Sequence, residues 1–357
     1  MRHRFLYLLP ALLFAFLQTT SFAQNNWWHG IQREIHYQPD GEDFLLVKGS
    51  RRFNRALYGG NTAFRVEAGD LPEFALYLPG MGGNIKFGLI KNNESKWLIN
   101  ARKIETRYRA GSMVYKISDS LLGKGFITIT VLSLFEQEGL LIKLEANNIN
   151  RDVQLIAAYG GATGLKFSRD GDIGADPESS FYLKPEYCVD NVYSIHKNQF
   201  NIFFGSKKPL TEEERYEIQN FPDQKKDSTN SKADLKSIIG IFPSSSRLKL
   251  SDPSKQQSPI EFYQSSSSSS PALCAQLKLS TQPVYFLVLN EKNSSLAYND
   301  LPSLFNQTEK TREQLANRIK VITPDPYINT VGGALSVAAD AIWEDPSYLH
   351  GDRKSVV

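Results

Sequence analysis

The 357 residues hold 41 Lys and Arg against 38 Asp and Glu, a formal charge of +3, with 41% apolar residues and 2 cysteines. That length suffices for one large domain or two small ones. With no Lys/Arg stripe it excludes a nucleic-acid or anionic-lipid partner. Two cysteines are too few for a disulfide framework, and no His/Cys/Asp cluster has metal-ligand spacing, so neither a metal nor another cofactor is expected.

At the start, Arg2 and Arg4 precede an apolar run over residues 5–16, and Ser21-Phe22-Ala23 places small residues three and one before a cleavage point. This pattern predicts a secretory signal over residues 1–23. The run falls short of the about 20 apolar residues that span a bilayer, and no later segment reaches that length. The mature chain is therefore expected in the periplasm or outside the cell. Loss of Arg2 and Arg4, and of one further net positive charge in the last six residues, leaves it without net charge.

Residues 24–305 read as a large antiparallel β-sandwich. Short apolar or alternating runs such as Phe74-Ala75-Leu76-Tyr77-Leu78, Met113-Val114-Tyr115-Lys116-Ile117 and Phe126-Ile127-Thr128-Ile129-Thr130 are separated by Gly, Asn and Asp turns. Asn147-Asn148-Ile149-Asn150-Arg151-Asp152 reads as a hairpin connection. The Gly-rich segments 80–84 and 160–164 read as tight turns, because neither joins a strand to a helix with phosphate-loop spacing. Residues 211–271 form a polar excursion, partly disordered, with a capping box at Thr211 and Glu214 and a serine run at 265–270 that buries nothing. A lid over a cleft is the other reading of this stretch. Cys274 alternates with Leu273, Ala275, Leu277 and Leu279, on the face of Gln276 and Lys278; a free, non-catalytic thiol is expected, and pairing with Cys188 is left open.

A linker helix is predicted over 306–323, with Thr308 as N-cap and Leu315, Ile319 and Ile322 on one face, stopped by Pro324. A second helix opens at Pro326. Its apolar positions Ile328, Val331, Leu335, Ala338 and Ile342 keep helical spacing, and its small residues Gly332, Gly333 and Ala334 expect helical neighbours. Residues 352–357, Asp-Arg-Lys-Ser-Val-Val, can be encoded by GATCGGAAGAGCGTCGTG, which matches a common sequencing adapter. The natural sequence is thus expected to depart from this one after about Gly351.

Two groups carry candidate sugar chemistry. Arg52, Asn54, Arg55, Asn61 and Arg65 lie close to Tyr58 and Phe64, either as a loop reaching into a sugar cleft or as an ion-paired network with Glu67, Asp70 and Glu73. Asp340 and Glu344 are spaced i, i+4, with Trp343 and His350 nearby, and could line a sugar site or simply a helix surface. The substrate-binding candidates are Arg55, Asn61, Asp340, Trp343, Glu344 and His350.

Residues 52–74, with Arg52-Phe53-Asn54-Arg55-Ala56-Leu57-Tyr58-Gly59-Gly60-Asn61, together with Leu78-Pro79-Gly80-Met81-Gly82-Gly83-Asn84, Pro324-Asp325-Pro326-Tyr327 and residues 339–351, resemble the DUF4450 family of exported bacterial proteins. The resemblance implies a β-supersandwich, a linker helix and the start of an (α/α)6 toroid at 324–351, of the six-hairpin glycosidase type, truncated here after its first helix. It implies action on a polysaccharide or oligosaccharide by paired carboxylates, which are expected outside this chain, leaving the fragment inactive. The alternative is a non-catalytic carbohydrate-binding or cell-surface β-sandwich; a phosphorylase or lyase on the same scaffold is a third reading.

Overall fold

The computed structural model describes residues 35–78, 80–149, 152–164, 177–205, 236–344 and 347–348. The expected signal at 1–23, the capping box at 211–214, His350 and the adapter-like tail lie outside the described residues. The chain divides into two units, Met1–His36 and Tyr37–Val357. Of the first, only Ile35 and His36 are described, in irregular backbone.

The second unit is mainly β, as expected. In chain order its strands are β1 (Gln38–Asp40), β2 (Asp43–Val47), β3 (Arg55–Leu57), β4 (Arg65–Ala68), β5 (Glu73–Leu78) and β6 (Gly80–Lys91). There follow β7 (Glu94–Trp97), β8 (Lys103–Arg109), β9 (Ser112–Ser118), β10 (Phe126–Ser133), β11 (Gly139–Asn147) and β12 (Gln154–Gly160). Next come β13 (Val192–His196), β14 (Gln199–Phe204), β15 (Lys236–Ile241), β16 (Arg247–Ser251), helix α1 (Pro259–Gln264), β17 (Ala272–Lys278) and β18 (Val284–Leu289). Helices α2 (Leu301–Ala316) and α3 (Pro326–Ala341) come next, then a small ribbon of β19 (Trp343–Glu344) and β20 (Ser347–Tyr348). One sheet has ten strands in the order β1-β2-β8-β9-β10-β11-β18-β15-β14-β13. The other has eight, β16-β17-β12-β6-β5-β4-β3 with β7 beside β6.

Alternation builds the core between the sheets. Met113, Tyr115 and Ile117 of β9, Ile127, Ile129 and Val131 of β10, and Leu155, Ala157 and Tyr159 of β12 all face inward and are buried. An aromatic chain runs through this layer: Phe87 to Phe286 at 5.0 Å between ring centroids, Phe286 to Phe242 at 5.1 Å, then Phe200 and Tyr159, each at 5.3 Å. Its three T-shaped contacts set the electropositive ring edge against a neighbouring face. Phe286 of β18 is fully buried and meets Phe87 of the other sheet, so Phe286→Ala should cost about 3–5 kcal/mol through lost burial and a residual cavity. Denaturant unfolding checks this.

Four local expectations change in three dimensions. Residues 147–152 are not a hairpin: β11 pairs with β10 and β18, whereas β12 pairs with β6 and β17 in the other sheet. The strands on either side of this segment thus belong to different sheets. The Gly80–Asn84 segment is not a tight turn but the start of β6, with a register shift against β5 between Leu76 and Tyr77. Glycine is needed there for a close approach, because a Cβ on Gly83 (φ +125°) would lie 2.5 Å from Tyr159 Oη, and that hydroxyl donates to Gly82 O at 2.6 Å.

The predicted excursion also narrows. Residues 236–271 fold: β15 lies between β18 and β14 with Ile238, Ile239 and Ile241 buried. Helix α1 covers the outer face of the second sheet through Pro259 and Phe262, capped by Ser258 Oγ, which accepts from Glu261 N at 3.3 Å. The helix ends shift as well. Helix α2 begins at Leu301, seven residues before the expected cap, because Leu301 and Phe305 bury against the sandwich, with Phe305 5.8 Å from Tyr285. Thr308 is buried in its interior, its hydroxyl donating to Leu304 O at 2.8 Å. Since α2 ends at Ala316, Ile319 and Ile322 belong to the linker and stand exposed.

Cys274 does share the face of Gln276, whose Oε1 accepts from Tyr263 of α1 at 2.9 Å, but that face is covered. Cys188 and Cys274 are both free and sit in one apolar cluster with Ile156, Ala158 and Phe262. Burial pushes each thiol up to about 12. Neither should therefore react with a disulfide reagent near pH 8 in the native protein, and both should react once it is denatured.

Candidate functional site

The polar residues around β3 and β4 assemble into a buried network. Arg65 Nε lies 2.5 Å from Glu67 Oε1 and its guanidinium stacks 3.8 Å from the centre of the Tyr77 ring. Arg52 Nη1 approaches Glu73 Oε2 at 3.4 Å and stacks on Tyr182 at 4.2 Å, and Glu73 Oε1 accepts from Asn84 Nδ2 at 2.9 Å. Asp70 is held by neutral donors instead. Its carboxylate accepts from Tyr37 Oη (2.8 Å), Ser50 N (3.1 Å), Arg51 N (3.1 Å) and Asn54 Nδ2 (3.2 Å). Burial first, and then the Asp70 charge, hold the Tyr37 phenol far above its ordinary range. Arg65–Glu67 and Arg52–Glu73 are thus ion pairs, whereas Asp70 accepts from neutral groups.

Of the six candidates, Arg55 points along this network: it donates to Asn54 O at 3.2 Å and lies 5.0 Å from the Tyr37 ring and 6.0 Å from that of Tyr108. Asn61 is exposed in the β3–β4 loop. Asp340 accepts from Arg318 Nη1 at 2.7 Å and so clasps α3 to the linker. Trp343 is half-buried at the start of β19. Glu344 does not share a helix face with Asp340, because α3 ends at Ala341 and Glu344 falls in β19.

A cleft of about 540 Å³ opens between the β1–β2 turn, the β8–β9 turn, α2 and the α2–α3 linker. Glu309 anchors its wall, accepting from Arg312 Nη2 at 2.8 Å and Nε at 3.0 Å, while Arg312 Nη1 donates to Ala110 O at 2.9 Å. Arg109 bridges Glu309 at 3.4 Å and Asp43 at 3.6 Å. Lys320 faces Glu42 at 3.8 Å on the rim. Gly111 (φ +83°) lets the β8–β9 turn fit beneath α2 and α3, since a Cβ there would lie 3.1 Å from Arg312 Cγ and 3.2 Å from Val337 Cγ1. The floor closes through Thr330, whose hydroxyl lies 2.9 Å from Pro326 O in its own helix and 3.2 Å from Gly41 O across the cleft. Tyr108 connects cleft and network: burial raises its phenol, opposed by the Gly111 amide and the charges of Arg55 and Arg312.

This cleft was not legible in the sequence. Glu309 and Arg312 are an i, i+3 pair on any helix, but Arg109 lies 200 residues from Glu309.

The family model for the Domain of unknown function (DUF4450) matches residues 78–309. The chain belongs to this family. The DUF4450 match runs from the end of β5 into α2, so it takes in most of both sheets, but of the cleft lining only Arg109, Ala110 and Glu309. No curated protein matches. Among solved structures, the chain is similar to a bacterial glucoamylase complexed with acarbose, at 8% identity and a TM-score of 0.37, over 84% of this chain and 44% of that one. The chain thus spans less than half the length of that structure. No described helix is long and apolar enough to cross a membrane.

Proposed function

We propose that this DUF4450 chain is the N-terminal, non-catalytic part of an exported glycoside hydrolase-like enzyme acting on complex polysaccharide. The observation that carries the reading is the handover from sheet to helix. The sandwich passes through α2, packed on β18, into α3, whose inner face buries Thr330, Gly332, Ser336 and Val337. The outer stripe of α3 is apolar and largely uncovered, with Ile328 46% and Leu335 60% exposed at i, i+7, a half-buried Val331 between them and an exposed Ala338 beyond. Such a stripe is the surface on which a further helix packs. The reading agrees with the state of the three carboxylates in the buried network. Glu67, Glu73 and Asp70 are buried and engaged in structural bonds, and the proposal assigns the hydrolytic carboxylates to a following helical domain.

The test is release of reducing ends from a panel of polysaccharides. The product of the complete reading frame should cut at least one of them, and this chain alone should cut none. Hydrolysis by this chain alone, or binding without any cleavage by the complete product, would remove the reading.

A further inference from the structure

We propose that the cleft between the β1–β2 turn and the α2–α3 linker is a binding site for a neutral oligosaccharide. Its volume of about 540 Å³ falls within the range of small-molecule pockets, about 300–1,000 Å³. The lining chemistry then narrows the ligand. The lining cations are already shared with carboxylates, which disfavours an anion: Arg109 faces Asp43 and Glu309, Arg312 is locked by Glu309, and Lys320 faces Glu42. A metal ion is disfavoured, as no group of His, Cys, Asp and Glu among the described residues is arranged to hold one. A purely apolar ligand would desolvate the charged side chains of both walls without replacing their hydrogen bonds.

A polyhydroxylated ligand meets each of these demands, since every hydroxyl both donates and accepts. Acceptors are present: the Glu313 carboxylate, exposed on α2, has no cation within ion-pair distance among the described residues. Donors are present as well. The Arg109 contacts of 3.4 and 3.6 Å are longer than ordinary hydrogen bonds of about 2.7–3.2 Å, leaving its N–H groups able to turn to a ligand. Beside them, Ile319 and Ile322 stand 55% and 92% exposed on the cleft's linker side. Aliphatic side chains next to polar groups with bonding capacity to spare suit the mixed C–H and O–H surface of a sugar ring. Neutral sugars fit better than uronates, because the lining carboxylates outnumber its cations. The inference concerns binding alone and holds whether or not the complete polypeptide cuts glycosidic bonds.

The experiment is a neutral-oligosaccharide array on this chain, followed by calorimetric titration of the strongest binder against wild type, Glu313→Ala and Ile322→Ala. Both positions are exposed, so both variants should unfold at the wild-type midpoint. Glu313→Ala should weaken binding roughly tenfold, the effect of one lost hydrogen bond to a charged group, and Ile322→Ala by several-fold. The proposal is overturned if no neutral oligosaccharide binds, if neither variant weakens binding, or if acidic oligosaccharides bind more tightly than neutral ones. Cleft binding by this chain without cleavage by the complete product would keep this inference while ending the enzyme reading. Cleavage without cleft binding would do the reverse.

Discussion

Asp70→Ala is expected to destabilise the sandwich by at least about 4 kcal/mol, seen as a large loss in denaturant midpoint with an unchanged slope. Asp70 is 5% exposed, and its two oxygens receive four donors: the Tyr37 hydroxyl, the Ser50 and Arg51 amides, and the Asn54 amide group. Ser50, Arg51 and Asn54 belong to the segment that carries the chain from β2 in one sheet to β3 in the other, and Tyr37 immediately precedes β1. Two more bonds use the same corner, Thr106 Oγ1 to Asp70 O at 2.6 Å and Tyr115 Oη to Gly69 O at 2.7 Å. A hydrogen bond to a charged acceptor contributes about 1.5–3 kcal/mol, and a buried donor left without a partner costs about 1–3 kcal/mol. The four are not additive, since the crossover can relax as one piece. Asp70→Asn should lose less, because an amide oxygen still accepts while the other donors meet an NH2 group. Equal losses in the two variants would show that space, rather than charge and acceptor count, holds this corner.

That corner also shows what the sequence discloses and what it withholds. Strand existence was legible wherever alternation was long, as in β9 and β10, because the period of two is a local property of the chain. The partner of each strand was not. Residues 147–152 carry the same turn signal whether the next strand joins β11 or crosses to the other sheet, and only the packing of Leu155, Ala157 and Tyr159 decides. Strand β15 went unread because Lys236–Ile241 is short and flanked by polar sequence, so its membership rests on pairing with β14 and β18. Thr308 resembled a cap because a Thr can also donate back to the carbonyl four residues earlier, as it does here. Among the candidate residues, charges could be named but not matched. Glu67 and Arg65 are two apart in one strand, whereas Arg109 and Glu309 meet only after the sandwich brings β8 to α2.

The Arg65–Glu67 pair carries the second large expectation, a stability that falls as pH rises from about 4.5 to about 7. Glu67 is 0% exposed on β4, and its Oε2 has no hydrogen-bond partner among the described residues. Burial dominates there, opposed by the charge and hydrogen bond of Arg65, and pushes the carboxyl up from 4.5 to about 7. Below about 4.5 both folded and unfolded chains hold the proton, and the contribution is complete. Between 4.5 and 7 the unfolded chain releases its proton while the folded chain keeps it, so the folded state binds more protons and loses stability as pH rises. Above about 7 both are ionised and the loss levels off at about 3 kcal/mol, since each pH unit that separates the folded from the unfolded titration is worth about 1.4 kcal/mol. Other groups titrate over the same range, so the measurement is a difference: unfolding free energy of wild type minus that of Glu67→Gln, followed from about pH 4 to about pH 8. Glutamine keeps the shape and cannot ionise, and the difference should decline across that window. A difference that stays flat would mean that Arg65 outweighs burial, keeping Glu67 ionised in the folded protein down to its ordinary range. In that case the pair acts as a fixed ion pair, and Arg65→Met should then be the costly change, by about 3–5 kcal/mol near neutral pH, because it would strand a buried carboxylate.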